Sequence, residues 1–166
     1  MNMMTKTKNQ GFTIVELLIV IVVIAILASI SIVSYTGVQN RANDAAVQTD
    51  LRNFISNIEL VKLDSSTGSY PYTPTASMNF KFTKSAYGMG SDGKTVKYCS
   101  NGLDSYVLYV RSKSGNFFTA TQGKISKVNE IYGGWDVCSL ANQPSTNPYD
   151  GFDNTRSPQW ASWANN

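Results

Sequence analysis

Between Phe12 and Val33 the chain runs for 22 residues with a single charged side chain, Glu16. As an α-helix this stretch is about 33 Å long, which matches the roughly 30 Å hydrocarbon core of a bilayer. A chain of 166 residues has room for one domain beside such a helix, and too little core to bury it on every side. The run must therefore be covered by lipid or by other apolar helices. Lys6 and Lys8 precede it and predict a cytoplasmic N-terminus. An ordinary secretory signal has a shorter apolar stretch and a small-residue cleavage site, of which Ala25-Ile26-Leu27-Ala28 and Ala28-Ser29-Ile30 are weak versions.

Glu16 is the residue this simpler reading leaves unexplained. An unpaired carboxylate costs about 2.5–3.5 kcal/mol at mid-span and less near a helix end. It calls for a partner, or for a position where the positive end of the helix dipole relieves it. If the chain is cut after Gly11, the new amino group of Phe12 is a cation. A neighbouring copy can present that cation to Glu16, or the same helix can, since the two groups lie about one turn apart. The plain alternative is a stray acid at the start of a helix.

The basic leader, then Gly11-Phe12-Thr13-Ile14-Val15-Glu16-Leu17-Leu18-Ile19-Val20, then an unbroken apolar helix resemble the class III signal and N-terminal helix of type IV pilins and pseudopilins. The resemblance implies cleavage by a prepilin peptidase between Gly11 and Phe12, N-methylation of Phe12, and a role for Glu16 in docking subunits and neutralising a neighbour's N-terminus. It also implies a precursor held in the cytoplasmic membrane by one span, and a homopolymer built through the N-terminal helices by a pilus assembly machinery and exposed on the cell surface. Many major pilins carry a helix-breaking Gly and Pro within the apolar helix. Residues 25–33 here have neither, so a nearly continuous helix is expected, bent slightly where Ser29, Ser31 and Ser34 bond back to the preceding turn.

From Tyr35 to about Leu63 the pattern becomes one-faced, with Val47, Leu51, Phe54 or Ile55, Ile58 and Val61 at steps of three and four. Gln48, Asp50, Arg52, Asn53, Asn57, Glu59 and Lys62 are expected on the solvated or filament-facing side. The helix should stop between Leu63 and Thr67, where Gly68 suits a left-handed exit and Pro71 cannot continue it. Asp-x-x-x-Gly-Ser-Tyr-Pro over residues 64–71 also resembles the helix-to-loop joint of pilins, which extends the likeness to residues 1–72.

Beyond a loop over residues 72–90, four short runs rich in Val, Tyr, Phe and Thr (95–100, 105–112, 116–121 and 125–128) are separated by Asn-Gly, Ser-Gly-Asn and Gln-Gly-Lys turns. They predict a meander of three or four antiparallel strands. Tyr106, Leu108 and Val110 alternate with Val107, Tyr109 and Arg111, so one face covers the helix and the other meets solvent or the C-terminal segment. The fold class is α+β. The expected layout is a leader over 1–11, a spanning or filament-core helix over 12–34, its amphipathic half over 35–64, a β-sheet head over 65–140 and an irregular tail over 141–166.

Composition narrows function further. Histidine is absent, which excludes Ser-His-Asp and Cys-His catalysis and the commonest transition-metal sets. No catalytic residue, metal or cofactor is expected. The formal charge is +3, and without residues 1–11 it is 12 basic residues against 11 acidic ones. Nucleic acid is thus at most a weak partner. Cys99 and Cys138 have no redox or zinc spacing; outside the cell they form a disulfide, and in a reducing compartment they are two buried thiols. The acidic loop over 147–154 offers oxygens to calcium, but its spacing fits no defined calcium loop and reads as turn chemistry, as does Asp92. The tail aromatics Tyr149, Phe152, Trp160 and Trp163 either pack on the domain, lie exposed, or form an adhesive patch. Besides a pilus subunit, the open readings are a minor pilin or pseudopilin of a secretion or competence machine, and a tethered or secreted binding domain.

Overall fold

A computed structural model describes residues 11–75, 78, 80–89, 94–131, 134–143, 149–150, 152–153, 159–160 and 164, with the side chains of residues 33–34, 134–135, 149–150, 152–153 and 159–160 left aside. Residues 1–10 of the leader, Asp92, residues 147, 148, 151 and 154 of the acidic loop, and Trp163 lie outside these residues. The chain divides between Val38 and Gln39 into two compact units. Helix α1, Ile14–Asp64, contributes to both.

Among the described residues of the first unit, α1 is a helix with no core. Among its described large apolar side chains from Ile14 to Ile32, exposure runs from 48% at Val22 to 83% at Ile14. Ser29 and Ser31 donate to the carbonyls of Ala25 and Leu27 at 2.8 and 2.9 Å, the back-bonding expected of them. Ser34 lies outside the described side chains. The helix continues unbroken through residues 25–33, as the absence of Gly and Pro there predicts.

In the second unit the amphipathic stripe closes on a sheet. Strands β1 (Val96–Ser100), β2 (Tyr106–Arg111), β3 (Phe117–Thr121) and β4 (Lys124–Val128) form an antiparallel meander. Each starts and ends within one residue of its sequence expectation. The β3–β4 turn places Gln122 and Gly123 at φ 46° and 80°, the two positive values that a tight hairpin turn needs. A fifth strand, β5 (Tyr149–Asp150), adds to the edge at β1, pairing Lys97 with Asp150 and Tyr98 with Tyr149. The tail is therefore less irregular than expected: β5 joins the main sheet, and β6 (Phe152–Asp153) pairs with β7 (Gln159–Trp160). A two-residue strand beside Pro148 and Gly151 has no periodicity for a sequence to show.

The two faces of the sheet sort by alternation. Val96, Tyr98, Tyr106, Leu108, Val110, Phe118 and Ala120 join Val47, Leu51, Phe54 and Ile58 of α1 in the main core. Phe54 sits at its centre, with ring centroids 4.5 Å from Phe80, 6.1 Å from Tyr98 and 5.9 Å from Tyr106. Val61, expected to extend the stripe, is only partly buried. The opposite face, through Cys99, Val107, Tyr109 and Phe117, is covered by helix α2 (Gly134–Ser139) with Val137, Cys138 and Ala141. Cys99 and Cys138 are joined in a disulfide across 39 residues. By the loop-entropy estimate it contributes about 3–4 kcal/mol.

Two carboxylates of α1 tie loops to the helix. Asp50, expected on the solvated side, is instead 6% exposed. It accepts hydrogen bonds from the Thr83 amide, the Thr83 hydroxyl at 3.1 Å and the Tyr87 hydroxyl at 3.0 Å. Burial, then the charge and hydrogen bond of Asp50, push Tyr87 far above its ordinary value, so it stays a protonated donor. Asp44 accepts from Ser114 Oγ and from Asn116 Nδ2, holding the β2–β3 turn. Burial alone raises its pKa, but the hydrogen bonds from Ser114, Ser112 and Asn116 and the charge of Lys127 outweigh that and leave it lowered.

Replacing Asp50 by Ala strands the Thr83 and Tyr87 donors, and chemical denaturation should show a loss of about 3 kcal/mol. Asp44 behaves differently because its folded pKa is lowered. Its contribution is present above its ordinary value of 3.8 and is lost as pH falls through the lowered one. The stability gap between the native protein and Asp44→Asn should be open at neutral pH and close progressively on acidification; a gap that widens in acid would reverse the assignment.

Candidate assembly site at the start of the first helix

Gly11, Phe12 and Thr13 precede the helix in non-helical conformation and are exposed, Phe12 at 87%. A Cβ at Gly11 would meet nothing within 4 Å. The fold therefore places no steric demand for glycine at this position. The peptide bond between Gly11 and Phe12 stands in the open, one residue ahead of the helix cap.

Glu16 sits in the first turn, where backbone N–H groups lack helical partners and the dipole favours negative charge. Its Oε2 accepts the Thr13 amide at 2.8 Å and the Thr13 hydroxyl at 2.8 Å, while the Glu16 amide donates to Thr13 Oγ1 at 3.2 Å. Thr13 and Glu16 thus cap each other reciprocally, the arrangement of a capping box. Leu17 then donates to the Thr13 carbonyl at 3.3 Å and starts the helical ladder. With the bond to Gly11 intact there is no Phe12 amine, and the carboxylate is satisfied by its own turn. Among the described residues Oε1 takes no hydrogen bond, so one oxygen is available to a further donor.

The structure thus brings Gly11, Phe12 and Glu16 to one helix end, with Cys99 and Cys138 in the second unit. The residue that sequence reasoning missed is Thr13. The signal was present as Thr-x-x-Glu ahead of an apolar run. Among the described residues no three carboxylates or cysteines gather to hold a metal. For the calcium reading of residues 147–154, residues 147, 148, 151 and 154 lie outside the described ones.

Comparison with known proteins bears on this same end. Residues 6–32 match the prokaryotic N-terminal methylation motif. The chain is 30% identical over 116 residues to a type IV wide pilus major component of Thermus thermophilus, covering 69% of this chain and 83% of that protein. It is 34% identical over 70 residues to a type II secretion system core protein G of Klebsiella michiganensis, covering 42% of this chain and 48% of that one. No solved structure gives a significant match.

Thr13→Val removes the cap and should cost about 1 kcal/mol of local helix stability. In detergent micelles the first-turn amides should exchange faster in Thr13→Val, and Thr13→Ser should restore their protection. Equal exchange in the two variants would show that the hydroxyl does not hold the turn.

Proposed function

This chain belongs to the type IV pilin family, and on that premise we propose that it is the structural subunit of a type IV pilus, inserted in the membrane as a precursor and polymerised through its N-terminal helix. The observation that carries the reading is a coincidence of place. The methylation motif at 6–32 overlies the stretch of α1 whose described large apolar side chains are all exposed. Lipid covers such a segment first, and the helices of other copies cover it afterwards.

The prepilin peptidase cuts between Gly11 and Phe12, and Phe12 is then N-methylated. The open position of that bond, and the absence of any steric need for glycine at 11, support this assignment. Cleavage creates an amine that reaches a Glu16 carboxylate already ordered by Thr13, on the same helix or on a neighbour. A carboxylate and an ammonium that neutralise each other lower the cost of a charge among apolar helices. Lys6 and Lys8 place the N-terminus in the cytoplasm before cleavage. The role is structural rather than catalytic. Residues 12–34 form the filament core, 35–64 the amphipathic half, 65–140 the head and 141–166 the tail, whose β5 adds to the sheet.

The match to a secretion-system core protein favours a second reading, in which the same chain builds a short pseudopilus. It spans about half the length of that relative, and abundance separates the cases. A major pilin dominates sheared surface fibres, and a pseudopilin is scarce in them.

Mass measurement of the N-terminus of sheared surface material should find N-methylated Phe12. A mature chain beginning near residue 28, or one retaining its leader, would overturn the pilin assignment. Glu16→Ala should insert in the membrane normally and yield few or no filaments, while normal filament yield would remove Glu16 from the assembly step.

A further inference from the structure

We propose that Asn101 is a latent deamidation site, chemically primed by the sequence and silenced by the native β1–β2 hairpin, so that its conversion records opening of that hairpin. Asn101-Gly102 is the one Asn-Gly pair in the chain. In such a pair the amide nitrogen of the second residue attacks the side-chain carboxamide carbon of the first. The new N–C bond forms as the N–H proton passes to solvent, the C–NH2 bond breaks, and ammonia leaves with a proton from water. The cyclic imide is then opened by water at either carbonyl, giving aspartate or isoaspartate. The balance is one water in and one ammonia out, with no oxidant or reductant. Glycine favours the attack because it has no Cβ to shield its nitrogen.

The fold ties up both reacting groups. Asn101 Oδ1 accepts the amides of Leu103, Asp104 and Ser105 at 2.9, 3.1 and 3.0 Å, and Nδ2 donates to Asp104 Oδ1 at 2.8 Å. The carboxamide is thereby held toward residues 103–105. The nucleophile is engaged elsewhere, since the Gly102 amide donates to Ser100 Oγ at 3.0 Å. Asn101 N–H donates to the Ser105 carbonyl at 3.1 Å and closes the loop, and Tyr70 N–H fastens it from outside through the Leu103 carbonyl at 2.9 Å. Gly102 itself stands at φ +70° against the Tyr72 ring. Cyclisation requires these bonds to break together, which makes it a reaction of the opened hairpin.

Conversion would also obstruct closure. Aspartate at 101 replaces the Nδ2 donor with an oxygen facing the Asp104 carboxylate, and isoaspartate adds a methylene to the main chain. The lesion would fall at the turn between β1 and β2, two residues from Cys99 of the disulfide. Chains that fold and oxidise promptly keep Asn101, and chains that linger open are marked.

The test uses the full-length, disulfide-bonded protein in detergent at mildly alkaline pH, with peptide mapping of the Asn101 segment for exchange of ammonia for water and for isoaspartate. The reduced, denatured chain should convert at least about tenfold faster than the native one. Ser100→Ala frees the nucleophile and Asp104→Ala frees the carboxamide. With the sheet intact by circular dichroism, each should raise the native rate about threefold or more. Equal rates in native and denatured chains would overturn the proposal. So would a native rate that neither replacement changes.

Discussion

Val47, Leu51, Phe54 and Ile58 recur at steps of three and four, so they give the helix one face that water must not reach, and the inner side chains of the sheet are what cover it. Each such side chain contributes about 1.5–3 kcal/mol on burial. On that side the sheet meets α1 and loop side chains such as Phe80, Phe82 and Tyr87. Its central strands carry Tyr98, Tyr106, Leu108 and Val110 there, and these need the helix as much as the helix needs them. Closing one face would still leave the other wet, and α2 with the Cys99–Cys138 bridge completes the enclosure. This is why β1 is buried at every residue although it belongs to an antiparallel sheet.

The buried tyrosines come with hydrogen-bond partners. Tyr98 donates to the Pro71 carbonyl at 2.7 Å, Tyr70 donates to Glu59 at 2.8 Å, and Tyr109 accepts the Ile131 amide at 2.9 Å. Tyrosine suits a small head because each ring fills volume while its hydroxyl fastens a loop. Asp44 and Asp50 do the reverse from the helix side, reaching out to turns 33 to 72 residues away in sequence. The loops of this head are therefore anchored to α1 by hydrogen bonds as well as by packing.

Those anchors mark where the sequence stopped being legible. The stripe, the four strands and the helix end follow from periodicities of 3.6 and 2 and from Gly and Pro, all of which are local signals. Asp50 lies three residues past Val47, at the margin of the stripe, and a local reading assigns a carboxylate there to water. Only its partners Thr83 and Tyr87 turn it inward, and nothing near Asp50 announces them. The pairing of β5 and the covering by α2 are hidden for the same reason: two and six residues are too short for a period, and what orders them is contact with β1. Thr13 was legible, since a hydroxyl three residues before a glutamate ahead of an apolar run is a local pattern. At the site the sequence supplied Gly11, Phe12 and Glu16, and the structure supplied the reason why Glu16 is ordered, its reciprocal cap with Thr13.

The two units differ in what they leave unsatisfied, and that difference bears on function more directly than any one residue does. From Gln39 onward the described acids at 44, 50 and 59 have partners, the cysteines are joined, and the buried tyrosines are hydrogen-bonded. Before Val38 the opposite holds. Among the described residues a long apolar helix is exposed, Gly11 meets no neighbour that would require it to be glycine, and Glu16 keeps one oxygen without a donor. A glycine within a helix costs about 1 kcal/mol relative to alanine, and a Cβ at Gly37 in α1 would likewise meet nothing within 4 Å. The single chain gives no reason for these choices. They fit the function proposed above, in which a peptidase acts at Gly11, lipid and then further copies cover the helix, and an amine meets Glu16. On that proposal the head is finished by its own chain, and the apolar helix by others.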